Sequence, residues 1–282
     1  MKEFNTDKIG TFVYESCCEI AFVYPDDVRK SLVESAEKER NPMGRSILNL
    51  LLENEKIAQN KGIPMCQDTG MAVIFLRIGN ELQLVGTPLN DVINAAVEAA
   101  YKDKYLRKSI VADPLFDRKN TLTNTPAIIY TEFTQGDKIE IEVMAKGFGS
   151  ENCSAVRMLK PSDGVEGVCR FVIETVTKAA PNACLPMVVG IGIGGTMDYS
   201  AYLAKKACLR PIGEWSSDIR YADFEKELLR MINSMDFGPM GLGGDTSALH
   251  VAIEHFPTHI AALPVSINII CHMVRHKKGI LV

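Results

Sequence analysis

Pro64-Met65-Cys66-Gln67-Asp68-Thr69-Gly70 puts a thiol, an amide, a carboxylate and a hydroxyl on four consecutive residues. A thiolate is a soft metal ligand, a carboxylate can carry a proton, and an amide can orient a polar substrate. Pro64 fixes its own φ and biases Ile63 towards extended backbone, while Gly70 can adopt φ > 0. The apolar run Met71-Ala72-Val73-Ile74-Phe75-Leu76 follows, which predicts a tight loop feeding a buried strand. Taken alone, the stretch reads more readily as a turn with a buried cysteine and an Asx-type cap. Cys184 and Cys271 stand at similar junctions beside apolar runs. No C-x-x-C pair occurs, which argues against a zinc ribbon or a ferredoxin-type ligand run. Three isolated cysteines could ligate one cluster if the fold gathers them. A cubane held by three thiolates leaves one iron open as a Lewis acid.

Three glycine-rich stretches accompany these cysteines: Lys146–Asn152, Gly190–Thr196 and Gly238–Asp245. Glycine beside a strand lets backbone N–H groups approach a ligand and form an anion-binding nest. Gly190, Gly192 and Gly195 satisfy G-x-G-x-x-G between an apolar strand and a helix, the dinucleotide fingerprint. The fingerprint also needs a second strand ending in an acidic residue about 20 positions on. That region is Leu209-Arg210-Pro211-Ile212-Gly213-Glu214-Trp215, which does not have a strand pattern. A nicotinamide-binding oxidoreductase resting on Gly190–Gly195 remains the alternative from a different class, and NAD binding by a colourless protein would favour it.

The elements that must position these groups have a mixed signature. Residues 1–60 read as helical, with Ile47, Leu48, Leu51 and Leu52 on one face and Gly62 as the stop signal. Cys17 and Cys18 are adjacent and read as packing residues. Thr87-Pro88 predicts the start of a helix with Val92, Ile93, Ala96, Val97 and Ala100 as its stripe. Ile139-Glu140-Ile141-Glu142-Val143 alternates as a half-buried strand should, and Ile128–Tyr130, Met187–Val189, Ala248–Ile253 and Pro264–Cys271 are further strand candidates. Val165, Val168, Cys169, Val172, Ile173 and Val176 recur at helical spacing, and Phe224, Leu228, Ile232 and Met235 do so again. The class expected is α/β (α+β mixed), a helical N-terminal region followed by mixed sheets flanked by helices. One domain over 1–282 is expected, divided into a helical stretch, residues 1–60, and an α/β portion, residues 61–282.

Composition narrows the partners. Of 282 residues 46% are hydrophobic and 23% charged, and the formal net charge of −4 offers nothing to attract nucleic acid or an anionic membrane. The one basic run, Arg275-His276-Lys277-Lys278, reads as a solvated tail or subunit contact. A long uncharged stretch, Ala179–Met197, contains Pro181, Pro186 and four glycines, which argues against a lipid-exposed helix. Charges interrupt the N-terminus, so no signal sequence is read there, and eight cysteines without one point to thiols or metal ligands in a reducing cytoplasm.

Pro64–Gly70, Lys146–Asn152, Cys184-Leu185-Pro186 with Gly190–Thr196, Gly241–Asp245 and Thr258–Cys271 occur in the order of one family. Over nearly its whole length the chain resembles the α subunit of class I, iron–sulfur fumarate hydratases and L-tartrate dehydratases. The resemblance implies a [4Fe–4S] hydro-lyase acting on a dicarboxylate, with fumarate to (S)-malate as the expected reaction and L-tartrate as the alternative. It makes Cys66, Cys184 and Cys271 the cluster ligands, within a cluster-binding portion 61–282, and Asp68 the catalytic carboxylate. Gln67, Arg107, Phe148, Gly149 and His259 become substrate contacts. Phe148 replaces the family's second glycine in Lys-Gly-Gly-Gly-Ser, and it can still offer its backbone N–H.

The implied chemistry suits those residue types. Hydroxide is a poor leaving group that an open iron can stabilise, and a proton α to a carboxylate needs a base. A planar guanidinium such as Arg107 suits bidentate carboxylate binding. A lone arginine or histidine is otherwise most often a surface charge or a satisfied core residue. The resemblance also implies a separate β subunit that completes the site, with the cysteines and Asp68, Arg107 and His259 facing one cavity. A dimer of α–β pairs is expected, and the chain alone should be inactive.

Overall fold

A computed structural model describes residues 2–282. In chain order it runs β1 (Lys2–Asn5), α1 (Asp7–Ile20), α2 (Asp26–Lys38), α3 (Pro42–Lys61), β2 (Met71–Gly79), β3 (Leu82–Val85) and α4 (Leu89–Asp103). It continues β4 (Ile128–Thr134), β5 (Ile139–Lys146), α5 (Phe148–Glu151), β6 (Ala155–Leu159), α6 (Gly164–Ala179) and β7 (Met187–Gly195). The last elements are α7 (Met197–Ala207), α8 (Ile219–Asn233), β8 (Ala248–Thr258), β9 (Leu263–Ile270) and β10 (His276–Leu281). The α/β class with mixed sheets is as expected. Among the described residues no helix is long and apolar enough to cross a membrane.

The chain divides into two compact units. The first takes Met1–Pro25, Glu55–Phe148 and Arg275–Val282; the second takes Asp26–Asn54 and Gly149–Val274. The helical stretch 1–60 is therefore shared between them. The physical reason is that two separate apolar clusters form, each on its own sheet.

The first unit carries a sheet of order β10-β5-β2-β4. β2 runs parallel to β4 and antiparallel to β5, and β5 is antiparallel to β10. Ala72, Ile74, Leu76 and Ile78 alternate along β2, as do Ile139, Ile141 and Val143 along β5, and they join one cluster. Ile9, Val13 and Cys17 of α1 cover it at a spacing of four, together with Ile93, Val97 and Ala100 of α4. Because β2 and β4 are parallel, the chain must cross over between them. That crossover holds β3, which pairs with β1, then α4 and the segment bearing Arg107. The basic run is no tail. His276–Leu281 is an edge strand on β5, with Lys278 paired to Glu142 at 2.9 Å and Lys277 to Glu19.

The second unit has the order β6-β9-β7-β8, with β7 parallel to β8 and antiparallel to β9. Gly190–Gly195 belongs to β7 and is not a loop. Met187, Val189 and Ile191 point to a cluster shared with Val172 and Val176 of α6 and Leu228 and Ile232 of α8. The alternate positions Gly190 and Gly192 lie against α7. A Cβ on Gly190 would stand 2.2 Å from the Ala204 carbonyl oxygen, and one on Gly192 would stand 2.0 Å from that of Ser200. A strand covered on both faces reads as continuously apolar, which is why no alternation marks it. The glycines admit a helix backbone, so the nicotinamide reading loses its phosphate loop.

Candidate active site

Strand order decides what meets at one end of the first unit. The start of β2, the end of β5 and the start of β10 lie side by side, with Met71 opposite Lys146 and His276 opposite Met144. The Cys66–Gly70 loop, Gly147-Phe148 and Arg275 therefore share that end.

Side-chain hydrogen bonds fix the loop. Asp68 Oδ1 accepts from Gly70 N at 3.0 Å, and Asp68 Oδ2 accepts from Phe148 N at 2.8 Å. The Phe148 N–H expected to face a substrate is thus given to Asp68. Thr69 Oγ1 donates to the Arg107 carbonyl oxygen at 2.7 Å, tying the crossover segment to the loop. The Tyr101 hydroxyl lies 2.9 Å from the carbonyl oxygens of Thr69 and Gly70, to which it donates. Burial pushes that phenol's pKa up, so it stays a donor. Asn124, fully buried, donates to Gly70 O at 3.1 Å and accepts from Ser109 N at 2.8 Å. Thr69 and Gly70 are buried, Cys66 and Asp68 half-buried, and Gln67 and Arg107 exposed. The scaffold is dry while the reactive groups reach solvent.

In the second unit Cys184 precedes β7 and Cys271 follows β9. β7 and β9 are antiparallel, with Val188 opposite Ile270, so both cysteines lie at the same sheet end. His272 N donates to Cys184 O at 3.1 Å, joining the two segments directly. The Gly238–Asp245 loop arrives at this end too, with Met240 N donating to Leu185 O at 3.2 Å. The loop is held from within. The buried Glu39 carboxylate accepts from Asp245 N at 2.9 Å and Thr246 N at 3.0 Å. Gly149 is exposed, and a Cβ there would meet nothing within 4 Å. Glu151 accepts from Asn268 Nδ2 at 2.9 Å and pairs with Lys205 at 2.5 Å, anchoring α5 to β9 and α7.

His259 is elsewhere. It follows β8, whose end pairs with Gly195, so it lies at the opposite end of this sheet from Cys184 and Cys271. Seven strand steps from Val188 to Gly195 make that roughly 20 Å or more. Instead it lines a cleft of about 620 Å³ with Val168, Ile193, Tyr221, Phe224 and Ile260. The cavity expected to hold His259 with these two cysteines does not exist within the unit. Parallel pairing of β7 and β8 sets His259 apart from Cys184, and the eight-residue strand β9 sets it apart from Cys271, as the strand expected at Pro264–Cys271 already implies.

The eight cysteines form no disulfide. Cys17 and Cys208 are buried, and burial pushes the Cys17 thiol up to about 12. Cys184 is exposed and Cys66 and Cys271 are half-buried, so all three are accessible where Cys17 is not. Among the described residues no three His, Cys, Asp or Glu side chains close on a point that would hold a single metal ion. A polynuclear cluster asks for less, since each of its irons takes its own thiolate. Sequence reasoning missed Arg275, Tyr101, Asn124 and Glu39, all of which act through the backbone. Only Arg275 had a visible signal, as a cation following the apolar Met273-Val274.

Comparison with known proteins gives concordant matches. A family model described as fumarate hydratase (Fumerase) matches residues 11–280. A Methanocaldococcus jannaschii protein, provisionally named an L(+)-tartrate dehydratase subunit alpha, is 45% identical over 270 residues, covering 94% of each chain. The L(+)-tartrate dehydratase subunit alpha of Escherichia coli UTI89 is 34% identical over 284 residues, covering 99% of this chain and 92% of its own. The K12 protein of the same name is 33% identical over the same length.

Proposed function

The chain belongs to the fumarate hydratase (Fumerase) family and is a hydro-lyase chain, and from that premise we propose that it is the α subunit of a dehydratase acting on a dicarboxylate, with L(+)-tartrate as its substrate. Tartrate takes precedence over the fumarate expected from the sequence because relatives at 33–45% identity carry that name. Fumarate hydration is the second reading, favoured by the description of the family model. The observation that carries the proposal is the Asp68 carboxylate, held by two N–H donors in an accessible loop one residue from Gln67 and two from Cys66.

The donor set fits an iron–sulfur cluster: three thiols on short loops, outside disulfides, none sealed in a core. Cys66, Cys184 and Cys271 would hold it, and when bound it would supply a Lewis-acidic iron towards a hydroxyl oxygen of the substrate. The chain's own residues do the rest. Asp68 keeps unused lone pairs beyond its two accepted bonds, and it takes or returns a proton at the substrate from a fixed position. Arg107, pinned through its carbonyl by Thr69, leaves its guanidinium to bind a carboxylate in bidentate fashion. Gln67 and Gly149 offer an amide and an unobstructed backbone. His259 takes no part in this site within one chain. A separate β subunit supplies the remaining carboxylate contacts and covers the site against water. The names of the relatives, each a subunit alpha, support that partner.

The test is anaerobic coexpression with a candidate β subunit, followed by assays of L-tartrate dehydration and of fumarate hydration. Turnover of tartrate by the pair and none by the lone chain is expected. Full turnover by the lone chain would remove the partner, and turnover of fumarate alone would reverse the order of substrates.

A further inference from the structure

Arg275 is 3% exposed, yet among the described residues its guanidinium has one hydrogen-bond acceptor, the Asp68 carbonyl oxygen, 2.7 Å from Nη1. Its Nε is buried without a partner. Burying a cation is costly, and an apolar side chain of similar volume usually serves a core as well or better. A guanidinium kept there against a peptide oxygen calls for a role other than packing.

The strand ends show what it reaches. Ala145 N donates to Arg275 O at 3.0 Å, which sets the arginine beside the end of β5. From there the side chain crosses Gly147 to the Asp68 loop. A Cβ on Gly147 would stand 3.2 Å from Asp68 Oδ2 and 3.4 Å from Arg275 Nη2. Guanidinium and carboxylate therefore both border the space of one missing side chain. Phe148 N holds Asp68 Oδ2 from the other side.

We propose that Arg275 is a positioning residue for Asp68: reaching across Gly147, it clamps the Asp68 peptide and so sets the direction of the carboxylate. The proposal rests on the reading of Asp68 as the proton-transfer group. It assigns Gly147 a purpose in the same device, as the opening that leaves the guanidinium room to reach the Asp68 peptide.

The test uses Arg275→Met, Arg275→Ala and Gly147→Ala in the reconstituted α–β pair. Arg275→Met should melt near wild type and load its cluster, yet lose about 10-fold or more in kcat with KM nearly unchanged. Guanidinium chloride at low millimolar concentration should restore a fraction of the kcat of Arg275→Ala. In the cluster-free chain, iodoacetamide alkylation of Cys66, read by mass spectrometry, should quicken several-fold in each variant relative to Cys184. If Arg275→Met does not fold, Gly147→Ala puts the same question from the opposite side. Wild-type kcat together with an unchanged Cys66 to Cys184 ratio overturns the proposal. So does a parallel fall of melting temperature, kcat and both alkylation patterns without guanidinium rescue, since that is a packing role. If the wild-type pair turns over no dicarboxylate, the reading of the site fails, and the alkylation ratio still decides the clamp.

Discussion

Gly190–Gly195, within β7, and Gly147–Gly149, just after β5, are both short glycine-bearing stretches, and they differ in what occupies the room of the missing side chain. At Gly190 and Gly192 it is the backbone of α7, as near as 2.0 Å to the place of a Cβ. At Gly147 it is a carboxylate and a guanidinium, and at Gly149 it is open space. The first pattern is a packing solution, in which a helix seats directly on a sheet. The second leaves polar groups and backbone accessible to a ligand. A glycine motif thus carries chemistry only when the void it leaves is filled by something reactive or by nothing.

The comparison can be broken most decisively at Gly192. Gly192→Ala drives a methyl into the Ser200 carbonyl, which cannot yield without moving α7, and should cost about 3 kcal/mol or more. A urea midpoint equal to wild type would dissolve the contrast. At the other stretch the loss should be in rate. Asp68→Asn should lower kcat about 100-fold in the reconstituted pair, with melting temperature and cluster absorbance retained. A wild-type rate would end the assignment of Asp68.

A third test asks whether the packed region titrates at all. His250 stands opposite Val188 in register, and burial with the nearby Arg210 charge pushes it down to about 4 from an ordinary 6.5. The unfolded chain therefore binds a proton first, so stability is present above about pH 6.5 and is lost as pH falls towards about 4, at up to about 1.4 kcal/mol per pH unit. Urea unfolding across that window should show the slope, and His250→Leu should flatten it. The smallest effect belongs to Gly149. Gly149→Ala meets no neighbour and should leave stability unchanged or raise it by about 0.5 kcal/mol. If Gly149 is the substrate contact proposed above, KM for the dicarboxylate should nevertheless rise, because the added methyl would narrow the approach to its backbone. An unaltered KM would place Gly149 outside the binding surface.

Much of the local structure follows from the chain alone. Alternation marks β5, helical spacing marks α6 and α8, and Gly62 at φ +63° ends α3 where a stop was expected. The Cys66–Gly70 loop is legible too, because its chemistry sits in consecutive residues. What sequence could not yield depends on which strands become neighbours. Arg275 meets Asp68, 207 positions away, only because β10 and β2 flank β5. His259 leaves the company of Cys184 only because β8 runs parallel to β7. Local periodicity and turn chemistry are set within a few residues by backbone sterics and the burial of one face. Strand order and direction are set by the packing of whole sheets, in which each residue contributes little and none carries a mark of its partner.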